Sequence, residues 1–116
     1  MKENIYPKCR VGAVQAGPVF MDRDATVDKA CQLIQEAGRN GARLLAFPEA
    51  FIPAYPYWSR YLPPLQSARY TKELIKQAVQ VPSLSTDRLS QAARDAGMYV
   101  IVGINEKIAR AHGTLF

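Results

Sequence analysis

Apolar residues along the chain fall into two patterns. Short, nearly unbroken apolar runs predict strands, and they lie at residues 10–16, 43–47 and 99–104. Longer segments in which apolar residues recur every three or four positions predict helices, and they lie at residues 22–42, 71–80 and 83–97. The second run is dense enough for a strand covered on both faces, and Pro48 should end it. Between that run and the second helix, residues 48–64 are predicted to be irregular because they hold several prolines.

The order of strand, helix, strand, helices and strand predicts an α/β layered fold. Each helix has stop or cap signals of its own. Gly38 and Gly41 can supply the stop of the first helix, Pro82 ends the second, and Ser85 or Thr86 can cap the third. Three strands are fewer than the ~5 of an average sheet. We therefore expect residues 1–116 to be the N-terminal portion of a single larger domain.

Composition narrows the function classes. The net charge is +5, but the 15 Lys and Arg residues are scattered among 10 acidic residues and form no basic block, which argues against a nucleic-acid partner. No apolar run reaches the ~18 residues of a membrane span. The first eleven residues lack the apolar segment of a secretory signal. These observations predict a cytoplasmic protein that does not bind membranes.

Cysteine and histidine are scarce. Cys9 and Cys31 have no CxxC spacing, so no metal or redox motif is predicted. Cys9 precedes an apolar strand pattern and Cys31 lies on the apolar face of a predicted helix, so both are expected to be buried, inert thiols. A Cys–His couple would depend on His112, the one histidine of the chain.

Polar residues follow the predicted strands where α/β sheets usually bind ligands. They are Gln15, Glu49 and the pair Asn105-Glu106. Glu49 is the most unusual, because it lies inside the apolar and aromatic stretch LLAFPEAFIPAYPYW. Desolvation suits such a carboxylate to proton transfer near neutral pH. The alternative is a buried Glu that pairs with an arginine or bonds a loop backbone, and Glu106 is expected to be a solvated turn residue.

Three segments resemble the nitrilase branch of the carbon–nitrogen hydrolases. GARLLAFPEAFIPAYP resembles the signature around that family's first catalytic residue. VGAVQAGPVFMDRDATVDKA and YVIVGINE, followed by GTLF, resemble its first strand and helix and its third strand and hairpin. Ala54 stands where the signature usually has glycine, which would cost ~1 kcal/mol if that position required positive φ.

The resemblance implies the N-terminal part of an α-β-β-α sandwich that is incomplete in this chain. It also implies hydrolysis of a nitrile to a carboxylic acid and ammonia by a Glu, a Lys and a Cys, without a metal or organic cofactor. Carried over by position, Glu49 is the general base, while the Lys and the Cys lie further along, so these residues alone should be inactive. Tyr55 and Trp58 are predicted to bind substrate, or else to pack a rigid loop. A homo-oligomer, either a dimer or a helical assembly, is expected.

Other functions stay open at this point. A cyanide hydratase or dihydratase, or an amidase of the same superfamily, would share Glu49. A non-catalytic short chain could act as a scaffold by assembling with a full-length subunit. A nucleotide-binding domain would need a glycine-rich phosphate loop after the first strand, and QAGPVFMDRD has a single glycine followed by proline.

Overall fold

The computed structural model describes residues 6–116, so residues 1–5, which begin the stretch considered for a secretory signal, lie outside it. The strands are β1 (Val11–Ala13), β2 (Leu44–Ala46) and β3 (Tyr99–Ile101). The helices are α1 (Arg23–Arg39), α2 (Trp58–Tyr61), α3 (Pro64–Gln77) and α4 (Leu84–Asp95). The predicted α/β class is confirmed.

The strands form a parallel sheet in the order β1-β2-β3. Each strand has three residues and is shorter than its apolar run, because regular pairing stops where the chain turns into the loops at the carboxyl edge. The path of β3 continues past its end and pairs again where Ile104 bridges Ile52. All three strands therefore deliver their following loops to one edge of the sheet.

Helices α1 and α4 pack against each other beside the sheet. Their apolar faces meet the inner face of β2 and the loop that follows it in a continuous core. The best-buried members of that core are Val27, Ile34, Leu45, Phe51 and Ile52. Asp22 caps the start of α1, since its carboxylate accepts a hydrogen bond of 2.9 Å from the amide of Ala25.

The opposite face of the sheet is open. Val11 and Ile101 are about 60% exposed and Tyr99 is 79% exposed. On the second strand, which was expected to be covered on both faces, Leu44 and Ala46 point to this side and are half-buried, because α1 and α4 lie on the other side only. In an α-β-β-α sandwich, a second sheet would cover such an apolar face.

The helix boundaries differ from the predictions. Helix α1 ends at Arg39, so Gly38, expected to help stop it, lies inside the helix, and Gly41 has the left-handed φ of 80° that follows its end. Helix α3 begins at Pro64, well before residue 71, because proline at the first helical position has the φ a helix needs and lacks only an amide that would be unbonded anyway. It ends at Gln77, before the predicted residue 80, since Val79 instead bridges Glu106. Helix α4 begins at Leu84 after the N-cap residue Ser83. Ser85 and Thr86, the expected caps, lie inside its first turn, where Thr86 Oγ1 accepts a hydrogen bond of 2.8 Å from the amide of Ser83. The short helix α2 lies in the stretch predicted to be irregular.

Candidate active site

Glu49 lies three residues after β2, at the carboxyl edge of the sheet. The extension of β3 holds the backbone of its loop. The amide of Phe47 donates to the carbonyl of Ile101 at 2.8 Å, and the amide of Ile52 donates to the carbonyl of Gly103 at 3.2 Å. These bonds lie on either side of Glu49 and fix where its side chain starts.

Asn105 ties down the second half of the same loop. Its backbone amide donates to the carbonyl of Ile52 at 2.9 Å, and its side-chain Nδ2 donates to the carbonyl of Ala54 at 2.9 Å. The side-chain amide of Asn105 therefore supplies the hydrogen bond that the loop carbonyl of Ala54 accepts. Of the polar residues that follow the strands, Asn105 supports the loop, whereas Gln15 is exposed and does not line the clefts beside Glu49.

Gly103 allows the closest approach in the site. A Cβ added at this position would lie 2.5 Å from the carbonyl oxygen of Pro48, 2.6 Å from the amide nitrogen of Ala50 and 3.0 Å from the carbonyl carbon of Glu49. Real Cβ atoms do not approach the backbone this closely. Only glycine lets the Glu49 loop pack directly on the chain that follows β3.

The left-handed backbone in this loop is at Ala50, with φ of 48°. Ala54 does not have positive φ, so the possible backbone cost considered for alanine at that position does not arise. Ala54 is instead buried, with 1% of its surface exposed. The residue of the loop that adopts the left-handed conformation is therefore Ala50, directly after Glu49. Residues other than glycine seldom adopt this conformation.

Glu49 lines an apolar cleft of about 290 Å³. The cleft also touches the loop that follows β1, and its aromatic walls are Phe20, Phe51, Tyr55 and Tyr57. Among the described residues that line it, Glu49 is the only charged one. The arrangement presents a carboxylate to a small, largely apolar space, as a catalytic base next to a neutral substrate requires.

The carboxylate itself is exposed, which corrects the expectation of a buried glutamate. Within residues 6–116 its side chain makes no hydrogen bond or ion pair, so the alternative of a buried Glu paired with an arginine does not hold here. The apolar neighbours in sequence turn inward instead, because Phe51, Ile52 and Ala54 are all at least 99% buried. The group is thus free to contact a ligand.

A second cleft, of about 310 Å³, opens on the other side of Glu49. Tyr55 and Tyr57 separate the two spaces, with ring centroids 4.8 Å apart. Arg60 also lines this second cleft, and its guanidinium donates to the hydroxyl of Tyr55 at 3.4 Å. Arg60 belongs to α2, and the fold places it in the same cleft as the carboxylate.

Trp58 lies behind these clefts and is 7% exposed. Its ring meets the edge of Phe20 at a centroid distance of 6.1 Å and lies 5.7 Å from the ring of Tyr70. The indole Nε1 donates to Thr71 Oγ1 at 3.3 Å. Tyr55 therefore lines both clefts, while Trp58 lines neither and contacts Phe20, one of the walls.

Neither cysteine lies beside Glu49. Cys9 is exposed, contrary to the expected burial, and it precedes β1 at the amino end of the sheet. Cys31 is partly buried on α1, with its Sγ 3.8 Å from the carbonyl of Arg88, and burial raises the pKa of its thiol. Because Glu49 lies at the carboxyl end of the strands, neither thiol is placed to work with it.

The other candidate residues, Glu106 and His112, have different positions in the fold. Glu106 exchanges backbone hydrogen bonds of 2.9 Å with Phe116, and His112 is exposed in the turns that follow. Residues 6–116 hold no group of three His, Cys, Asp or Glu side chains with the spacing of a metal site. No helix in this part of the chain is long and apolar enough to cross a membrane.

Comparison with known proteins gives a consistent result. The family model described as carbon-nitrogen hydrolase matches residues 10–116. The chain is 48% identical over 102 residues to a nitrilase of Bacillus sp. (strain OxB-1), a match that covers 88% of this chain and 30% of that protein. It is 44% identical over 99 residues to an aliphatic nitrilase of Rhodococcus rhodochrous, covering 84% of this chain and 27% of that protein.

An arylacetonitrilase of Hypocrea virens (strain Gv29-8 / FGSC 10586) is 43% identical over 99 residues, covering 84% of this chain and 29% of that protein. The chain thus spans about 30% of the length of the curated relatives it matches. The resemblance to the nitrilase branch is confirmed. These similarities cover β1, the Glu49 loop and β3, the same elements that build the candidate site.

Proposed function

This chain belongs to the carbon–nitrogen hydrolase family, and from that membership we propose that the full-length protein hydrolyses a nitrile to a carboxylic acid and ammonia, with Glu49 as general base. The observation that carries the assignment of the base is the position of its carboxylate. Glu49 stands at the carboxyl edge of the parallel sheet, with no partner among the described residues, between two clefts lined by aromatic side chains. A base needs a carboxylate that is free to accept a proton.

The proposed reaction uses the thiol of a cysteine other than Cys9 or Cys31. The carboxylate takes the thiol proton, the sulfur attacks the nitrile carbon, and the nitrogen is protonated to give a thioimidate. One water then adds, and ammonia leaves with formation of a thioester. A second water, activated by the same carboxylate, releases the acid and restores the thiol. The sum is one nitrile and two waters giving one carboxylic acid and one ammonia.

The lysine of the proposed triad would stabilise the charge that develops on nitrogen during attack. Of the three catalytic residues in this scheme, the described residues supply Glu49 but neither the Lys nor the Cys. We therefore propose that residues 1–116 on their own have no nitrilase activity. Their contribution is to place the base, since the hydrogen bonds from Ile52 and Asn105 hold its loop against the sheet.

Glu49→Gln in the full-length gene product tests the proposal. The amide keeps the size of the side chain but cannot accept the thiol proton, so we expect kcat to fall by about 10²- to 10⁴-fold. Ammonia release from a panel of nitriles is the measurement. Glu106→Gln is the matched control, because it removes a second carboxylate that follows a neighbouring strand, and we expect its kcat to stay within about twofold of the parent.

Near-normal turnover by the Glu49→Gln protein would refute the assignment, and so would equal losses in both variants. The product distinguishes related activities that share the same base. One ammonia for each nitrile consumed identifies hydrolysis to the acid, whereas an amide product without ammonia identifies a hydratase. Assembly of several copies and residence in the cytoplasm remain predictions drawn from the family resemblance and the composition.

A further inference from the structure

Phe20 is an aromatic side chain at the Glu49 cleft with no role in the proposed reaction. It follows β1 in the loop that forms one wall of the cleft, and 58% of its surface is exposed. A single exposed apolar residue is ordinary. What distinguishes Phe20 is that both its ring and its backbone are held in place.

The ring of Phe20 rests against Trp58 in an edge-to-face contact, with an interplanar angle of 86°. Trp58 is in turn fixed by its contact with Tyr70 and by the hydrogen bond from its indole nitrogen to Thr71. A buried, doubly anchored tryptophan thus supports the back of a half-exposed phenylalanine. Within residues 6–116, more than half of the Phe20 surface stays exposed, and the residue lines the cleft.

The backbone on both sides of Phe20 is tethered. Lys29 Nζ donates to the carbonyl of Gly17 at 2.7 Å, and Thr26 Oγ1 donates to the carbonyl of Val19 at 2.9 Å. Met21, the next residue, has φ of 59°, a left-handed conformation that non-glycine residues seldom adopt. Such strain persists where the surrounding structure fixes it, and it is concentrated at ligand-binding sites.

We propose that Phe20 is a specificity-determining residue whose ring contacts an aryl group of the nitrile substrate, and that Trp58 is a positioning residue that acts through Phe20. This inference rests on the proposed function and adds a substrate class to it. Aromatic pairs prefer edge-to-face or offset contacts, and Phe20, Tyr55 and Tyr57 offer ring surfaces around one small space.

The part of the cleft that the described residues form also bears on the substrate class. Its volume of about 290 Å³ is at the small end of ligand sites and accommodates one ring. The class that fits these aromatic walls is therefore a nitrile carrying one aryl ring.

The test compares benzonitrile with cyclohexanecarbonitrile, which have the same number of ring atoms but differ in aromaticity. In the full-length gene product, we expect kcat/KM to favour benzonitrile. Phe20→Ala should lower the benzonitrile-to-cyclohexanecarbonitrile ratio of kcat/KM by about tenfold, and Phe20→Leu, which keeps apolar bulk, by about threefold. Leu65→Ala is the control, because Leu65 is a 92% exposed apolar residue on α3 outside the cleft.

The positioning role of Trp58 is tested by a separate pair of variants. Trp58→Leu should lower the same substrate ratio by about threefold, and Trp58→Phe should restore it, because an aromatic ring behind Phe20 is what positions the wall. A merely structural role for Trp58 would lower activity on both nitriles equally. An unchanged ratio in both Phe20 variants, or a parent enzyme that favours cyclohexanecarbonitrile, would overturn the proposal.

Failure of the proposed function gives a different result. In that case the parent releases no ammonia from any nitrile, and the inference about Phe20 is decided by calorimetric titration with benzonitrile. Binding that weakens about tenfold in Phe20→Ala but not in Leu65→Ala supports an aryl subsite without nitrilase activity. Equal binding by the parent and both variants, or no binding by the parent, overturns it.

Discussion

Replacing Gly103 with alanine tests whether backbone contact with the chain after β3 sets the position of Glu49. The added Cβ would lie 2.5 Å from the carbonyl oxygen of Pro48 and 2.6 Å from the amide nitrogen of Ala50. Carbon–oxygen contacts ordinarily begin at about 3.3 Å, so the Glu49 loop must move by roughly 0.8 Å to relieve the closer clash. The clashing atoms all belong to the backbone, so no side-chain rotation can absorb the strain.

A displacement of this size has two expected consequences. Overpacking in a fixed site costs about 1–3 kcal/mol of stability. Misplacement of a catalytic group by about 1 Å can cost about 100-fold in rate, which corresponds to about 2.7 kcal/mol in the activation barrier. Under the proposed function, we therefore expect Gly103→Ala in the full-length gene product to lower kcat/KM for a nitrile substrate by about 100-fold in protein that is still folded at the assay temperature.

Gly38→Ala separates the effect on the site from the effect on stability. Its Cβ would lie 2.9 Å from the Cβ of Ala96, where α1 meets the end of α4, away from the Glu49 loop. We expect a similar loss of stability, measured by urea denaturation, with kcat/KM within about threefold of the parent. Parent-like turnover in Gly103→Ala, or equal losses of turnover in the two variants at matched stability, would refute the reasoning.

Two further predictions concern the hydrogen bond that supports the Glu49 loop and the reactivity of the two thiols. Asn105→Ala should lower the free energy of unfolding by about 1–3 kcal/mol, because the carbonyl of Ala54 loses its side-chain donor, and an unchanged urea midpoint would contradict this. Maleimide should modify Cys9 faster than Cys31 at pH 7.5, because Cys9 is exposed while burial raises the Cys31 pKa and leaves less thiolate. Peptide mapping by mass spectrometry at timed intervals measures both rates, and equal rates would contradict the prediction.

Much of the α/β layering could be predicted because it depends on local patterns. The helical spacing of Val27, Ala30 and Ile34 predicts the face of α1 that is buried. The apolar run around Leu45 predicts the central strand. Boundaries were less predictable, since the start of α3 at Pro64 depends on whether a Pro-Pro pair opens a helix or continues a loop, and both are compatible with proline.

The site was only partly predictable. Glu49 could be identified from its position after a strand and from its resemblance to a known signature, and Tyr55 from its place in the same stretch. Phe20 was missed, because it comes from another segment and no local pattern marks it. The position of Phe20 in the loop after β1 was the available signal, since loops that follow parallel strands meet at one edge.

Periodicity and motif are properties of neighbouring residues, and they were sufficient to predict the fold class, the order of the main elements and Glu49 as the candidate base. The exposure of Glu49 beside its buried neighbours Phe51 and Ile52 depends instead on tertiary packing. So does the position of Trp58 behind Phe20 rather than in the cleft. Burial and ring contact depend on residues far apart in the chain, so they are fixed only when the strands and loops pack together.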